Sequence, residues 1–111
     1  MKKYSILLLL AIILLAATNQ FGKDEFNEKI ANLEQSLNKE DWDLAKKQIN
    51  DLSSYYDNNL WKVQLVGGEA EYKDLYETIS RLRILIEEKD LTDSRMELET
   101  VKTLVGHIYS L

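Results

Sequence analysis

An all-α fold is predicted by three observations: a stretch that occurs twice at helical spacing, apolar stripes that step by three or four residues, and the complete absence of proline. Leu37 to Tyr56 (LNKEDWDLAKKQINDLSSYY) recurs as Ile86 to Val105 (IEEKDLTDSRMELETVKTLV), with Asp41 and Asp90 standing 49 residues apart (90 less 41). At that offset Phe26 pairs with Leu75, Ile30 with Ile79, Leu33 with Leu82, Leu37 with Ile86 and Trp42 with Leu91. Beyond the turn, Ala45 pairs with Ser94, Ile49 with Leu98, Leu52 with Val101 and Tyr56 with Val105. Each copy therefore reads as one face of a helix, a tight turn and one face of a second helix, an αα-hairpin. An N-terminal anchor or signal helix followed by two such hairpins predicts a four-helix bundle or a TPR-like helical stack.

The N-terminus carries Met1-Lys2-Lys3, then Tyr4-Ser5, then Ile6 to Ala17 without a polar residue, the pattern of an export signal. Extended through Thr18 to Phe21 the run has the bare length for a hydrocarbon core, which takes about 17–25 residues. Cleavage after Thr18 would put Ala16 and Thr18 where small residues are required, a poor match, so an uncleaved anchor over residues 4–21 is the expectation. The two lysines stay in the cytoplasm and everything after Gln20 lies outside. The expected location is the cell membrane, single-pass with an extracytoplasmic C-terminal domain, or secretion if the signal is cleaved. The chain divides into a signal or anchor segment, 1–20, and a domain, 21–111, with hairpins over about 24–66 and 69–111.

In order, the first helix is expected from Asp24 to Asn38, with Gly22 either a hinge or inside a helix continuous with the anchor. The second starts at Trp42 and runs to Val66, where Gly67-Gly68 ends it. The third spans Glu69 to Lys89, with Tyr72 facing inward beside the paired apolar residues. The fourth follows Asp90 and buries Leu98, Val101, Leu104, Val105 and Ile108. Asp41 and Asp90 suit the N-cap position, where a carboxylate accepts from free backbone N–H groups. Glu40 and Asp43 suit the positive end of the same helix dipole. Ala45 and Ser94 are small where two helices approach, while Trp42, with Leu91 as its counterpart, is expected to fold back on Leu33 and Leu37 and close the first hairpin.

Composition excludes several chemistries. Without cysteine there is no disulfide, thiolate metal site or thiol nucleophile. Net charge is −5, and two of the 14 basic residues are Lys2 and Lys3, so nucleic acid is not an expected partner. His107, the one histidine, lacks the Glu-x-x-His spacing of helical metal sites. No serine or threonine sits in a nucleophile elbow, and Gly67-Gly68 is not followed by the Lys-Ser/Thr of a phosphate loop. Glu87-Glu88 and Glu97/Glu99 read as solvated helix faces. The expectation is no enzyme, no metal and no cofactor.

Leu60, Trp61, Val63, Leu65 and Val66 are apolar around most of a helix, with Trp61 and Leu65 roughly opposite Val63. Either the other hairpin covers the second face, or Tyr55, Leu60, Trp61 and Leu65 form a candidate partner surface. A different use of the aromatics is a ligand pocket lined by Tyr56, Tyr72 and Tyr76, since a buried tyrosine hydroxyl needs a polar partner.

The export segment, the Asp41-Trp42-x-x-Ala45 turn, the aromatic at Tyr56 and the tail of Leu98, Val101, Val105, Ile108 and Leu111 together resemble the bacterial domain of unknown function 4363 family. The resemblance covers nearly the whole chain and implies a small exported helical protein, largely of Gram-positive bacteria, with no established activity. Where members carry a His-x-Glu-like step at the start of the third helix, this chain has Glu69-Ala70-Glu71, which argues against a shared histidine site. The expected role is a membrane-anchored extracytoplasmic helical protein working as a protein–protein interaction or structural module of the cell envelope, by self-association or with a protein partner. The alternative is a small-ligand sensing or binding helical bundle.

Overall fold

The structure is a computed structural model that describes residues 2–110, and the side chains of 4–14, 22–65 and 67–110 among them. Among the described residues five helices follow one another: α1 Lys2–Asn38, α2 Trp42–Asn58, α3 Leu60–Val66, α4 Glu69–Glu87 and α5 Leu91–Ile108. Among the described residues there is no strand. Four long helices close a ring in which α1 packs on α2 and α5, and α4 packs on the same two. Neighbours run antiparallel. The end of α2 meets the start of α4, where the Tyr56 hydroxyl donates to the Tyr72 carbonyl at 2.7 Å. The far end of α5 meets α1 where the Tyr109 ring packs tilted against Phe26, 5.9 Å between centroids, and its near end where Arg95 donates to Asn38 at 2.7 Å.

The duplicated stripes are the core. Phe26, Ile30, Leu33, Leu37, Ala45, Ile49, Leu52 and Tyr56 are all buried, and so is the partner of each in the second copy. The 3.6-residue period places those residues on one side of each helix, and burying a Leu or Ile there contributes about 1.5–3 kcal/mol. Val63, Ile108 and Tyr109 extend the core at the end of the ring where α1 enters it.

Both hairpin turns have one geometry. Glu40 and Lys89, equivalent residues, adopt left-handed backbone with φ of 54° and 56°. The Glu40 N–H donates to the Leu37 carbonyl (3.0 Å) and the Asp41 N–H to that of Ser36 (2.9 Å); Lys89 and Asp90 repeat this with Ile86 (3.1 Å) and Leu85 (3.0 Å). That is the Schellman closure of a helix. The next residue starts the following helix: Asp41 accepts from the Leu44 N–H at 3.2 Å, and Asp90 from the Asp93 N–H at 3.1 Å. One short segment thus satisfies orphan carbonyls of one helix and orphan N–H groups of the next.

Three expectations need correction. The first helix does not begin near Asp24: α1 is one helix from Lys2 to Asn38, so of the two readings of Gly22 the continuous helix holds and the hinge does not. The second does not run through to Val66. It breaks at Asn59, whose backbone N–H bends back to the Tyr55 and Tyr56 carbonyls while its Nδ2 donates to Tyr55 at 2.9 Å. Asp57, Asn58 and Asn59 are poor helix formers because their side chains compete for nearby backbone groups. Trp42 packs against the core but is only half-buried, as are its counterpart Leu91 and also Tyr72 and Leu104. Trp42 stands at the first position of α2, where the core tapers out. Leu111 and the Val66 side chain lie outside the described residues.

Ser94 is fully buried with no partner for its hydroxyl, at the position its repeat mate fills with Ala45. Ser94→Ala should therefore raise unfolding stability by about 1 kcal/mol, removing an unsatisfied buried group. Lys89→Gly should add about 1 kcal/mol by relieving left-handed strain. Urea unfolding checks both; a loss of stability in either would contradict this account of the core and turns.

Candidate contact surface

The first part of α1 stands clear of the ring. Tyr4, Ile6, Leu7, Leu8, Leu9, Leu10, Ile12, Ile13 and Leu14 are all more than half exposed on a helix that twelve residues after Leu14 delivers Phe26 into the core at 0%. Among the described residues no helix is long and apolar enough to cross a membrane. The expected anchor, 4–21, includes side chains 15–21 that lie outside the described residues.

Where α1 joins the ring, contact is tight. A Cβ at Gly22 would come within 2.9 Å of the Tyr109 hydroxyl and 3.2 Å of its ring, so glycine lets that ring lie on α1. Gly67 does the same for Ile108, whose Cγ2 would be 3.1 Å from a Cβ there. Glu71 Oε2 accepts from the Gly68 N–H at 3.4 Å and closes the first turn of α4. This is the use found for the Glu69-Ala70-Glu71 step.

The residues expected to form a partner surface divide. Tyr55 sits edge-on to Phe26 at 4.8 Å, with Lys29 Nζ 5.4 Å above its ring, and belongs to the edge of the core. Leu60 also packs against the core. Trp61 and Leu65 are 58% and 67% exposed, on the opposite side of α3 from the fully buried Val63. The second hairpin does not cover them. Lys62 Nζ lies 5.4 Å from the Trp61 ring centroid.

The three tyrosines of the expected pocket are not brought together as a lining. Tyr56 is buried and its hydroxyl is satisfied by the Tyr72 carbonyl. Tyr76, 6.0 Å from Tyr56 between ring centroids, is exposed. Burial pushes the Tyr56 hydroxyl up to about 12, with Asp57 adding to it, and burial alone pushes Tyr109 to about 12. Burial, then the neighbouring Glu25, raises Tyr55 further still.

A second apolar patch escaped sequence reasoning. Ile84 and Met96, 55% and 64% exposed, flank a groove of about 410 Å³ between α4 and α5 lined also by Arg81, Leu85, Asp93 and Glu97. Arg81 reaches Glu97 at 3.5 Å along its edge. The signal was present in the sequence: Ile84 lies off the Ile79, Leu82, Ile86 stripe. His107 is exposed near the end of α5. Among the described residues no group of three or more acidic or histidine side chains is placed to hold a metal ion.

Fold and surface define a small all-helical module with an exposed apolar helical extension. The chain belongs to the family described as domain of unknown function (DUF4363), whose model matches residues 17–111. No curated protein and no solved structure matches it.

Folding holds Tyr56 and Tyr109 neutral above their ordinary value near 10. A raised folded-state value contributes stability fully present below pH 10 and lost as pH rises toward 12. Helicity followed by circular dichroism should accordingly collapse across that window. Tyr109→Phe should move the alkaline midpoint upward; an unchanged midpoint would mean that the phenol is not buried on Gly22.

Proposed function

We propose that this protein is a membrane-anchored, extracytoplasmic helical module of the cell envelope that works by contact with a protein partner or with further copies of itself, not by catalysis. The observation that carries this reading is α1, one helix whose first part is an exposed apolar rod and whose last part is core. Exposed apolar side chains on that scale are costly in water at about 25 cal/mol per Å², and Lys2-Lys3 before them favours a cytoplasmic N-terminus. Contact as the mode of action is supported by the exposed apolar residues Ile84 and Met96 across α4 and α5, since such patches mark interaction surfaces in other proteins.

The full chain expressed in a bacterial host should stay in the membrane pellet after alkaline carbonate washing, and a cysteine placed at exposed Lys47 should react with an impermeant maleimide in intact cells. Leu8→Glu with Ile12→Glu should move the chain to the supernatant. Wild-type protein in the supernatant would end the anchored reading, and labelling only after lysis would reverse the orientation.

A further inference from the structure

We propose that Trp61 and Leu65 dip into the interfacial layer of the bilayer, making α3 a second membrane contact that seats the helical ring on the lipid surface. This rests on the anchored reading of α1 and adds to it a partner for the α3 patch. Its basis is where the patch lies. Tyr55, in the last turns of α2, is level with Phe26, their ring centroids 4.8 Å apart. Since α2 runs antiparallel to α1, Trp61 six residues later lies at most about 9 Å further toward the start of α1. The other end of α3 is fixed at the same level, because Gly67 abuts Ile108 while the adjacent Tyr109 lies on Gly22. The patch therefore lies at the level where α1 leaves the ring. Leu14, the last residue of the apolar run whose side chain is described, is eight residues before Gly22, or about 12 Å along the helix. Trp61 thus stands between an apolar rod and a charged body, at the depth of the headgroup layer, which is about 5–8 Å thick on each side of the hydrocarbon core.

The chemistry of the patch suits that layer. Tryptophan favours the membrane–water interface, where its ring is partly apolar and its N–H stays wet. Lys62 beside the indole is a side chain whose stem lies along apolar surface while its ammonium reaches water or phosphate. Leu65, one turn on, points from the same side of α3. Val63 on the other side is fully buried, so the helix is fixed to the ring and presents Trp61 and Leu65 outward. A second copy is the less suited occupant. Two exposed side chains on a seven-residue helix fall well short of the roughly 800 Å² per partner that a stable protein interface buries.

The test uses the full chain with Trp42→Phe, leaving Trp61 as the one tryptophan, reconstituted into phosphatidylcholine vesicles. These are uncharged overall, so any contact reads as apolar insertion rather than charge attraction. Trp61 emission should shift to the blue on reconstitution and lose intensity when the lipids are brominated high on the acyl chain, less so when brominated near the chain end. In the reciprocal variant, Trp61→Phe, the remaining Trp42 at the opposite end of the ring should show neither change. A chain that floats with the vesicles while Trp61 emission ignores bromine would overturn the proposal and leave the anchored reading intact. Failure to float at all would end both. A blue shift that follows protein concentration but not bromination would assign the patch to a second copy and overturn the proposal.

Discussion

The structure depends on a backbone constraint met twice. At Glu40 and at Lys89 a residue other than glycine takes left-handed backbone, and only that bend lets the next N–H reach back to Ser36 or Leu85 while the Asp41 or Asp90 side chain reaches forward to the following helix. A two-residue reversal fixes the register of the helices on either side. With register fixed, the eight paired positions of each copy fall on the inside together. Charged residues are suited to these exposed bends even though glycine would fit the backbone with less strain.

What the turns organise is a ring with two unlike ends. At the turn end the core tapers and Trp42 and Leu91 are left half-covered. At the other end Tyr109, Ile108 and Val63 close over Gly22 and Gly67, and α1 departs through that closure without interruption. One helix runs from the exposed apolar rod into the core, and bending it at Gly22 would break the Tyr109 contact. Exposed ion pairs such as Lys102 with Glu34 and Glu99 (3.4 and 3.5 Å) lie on the solvent face, where such pairs contribute about 0–1 kcal/mol. Stability therefore comes from the duplicated apolar stripes.

The repeat was legible in the sequence because burial at period 3.6 writes directly into residue type, and each paired apolar position except Trp42 and Leu91 is inside. The caps were legible too, since few side chains accept from free N–H groups at a helix start. The break at Asn59 was not, because the apolar spacing carries across it while the local preference of Asp57-Asn58-Asn59 against helix decides the backbone. Nor was Tyr109, which falls off the tail stripe and becomes core only because Gly22, distant in sequence, leaves room for its ring. The candidate surface was legible in part. Trp61 and Leu65 could be placed opposite Val63 from spacing alone, but whether another helix covered them depended on the ring's closure, which no local pattern encodes.

The whole arrangement depends on α1 being one continuous helix that joins the apolar rod to the core. The chain has no cysteine, so spin labels at Leu10→Cys and Asn32→Cys, both exposed in the native helix, can be placed without background. Pulsed electron spin resonance on the full chain in lipid nanodiscs should give a single narrow distance of about 33 Å, the rise of 22 residues in a continuous helix. A broad distribution, or one centred well below that value, would mean a hinge near Gly22 and would contradict the account.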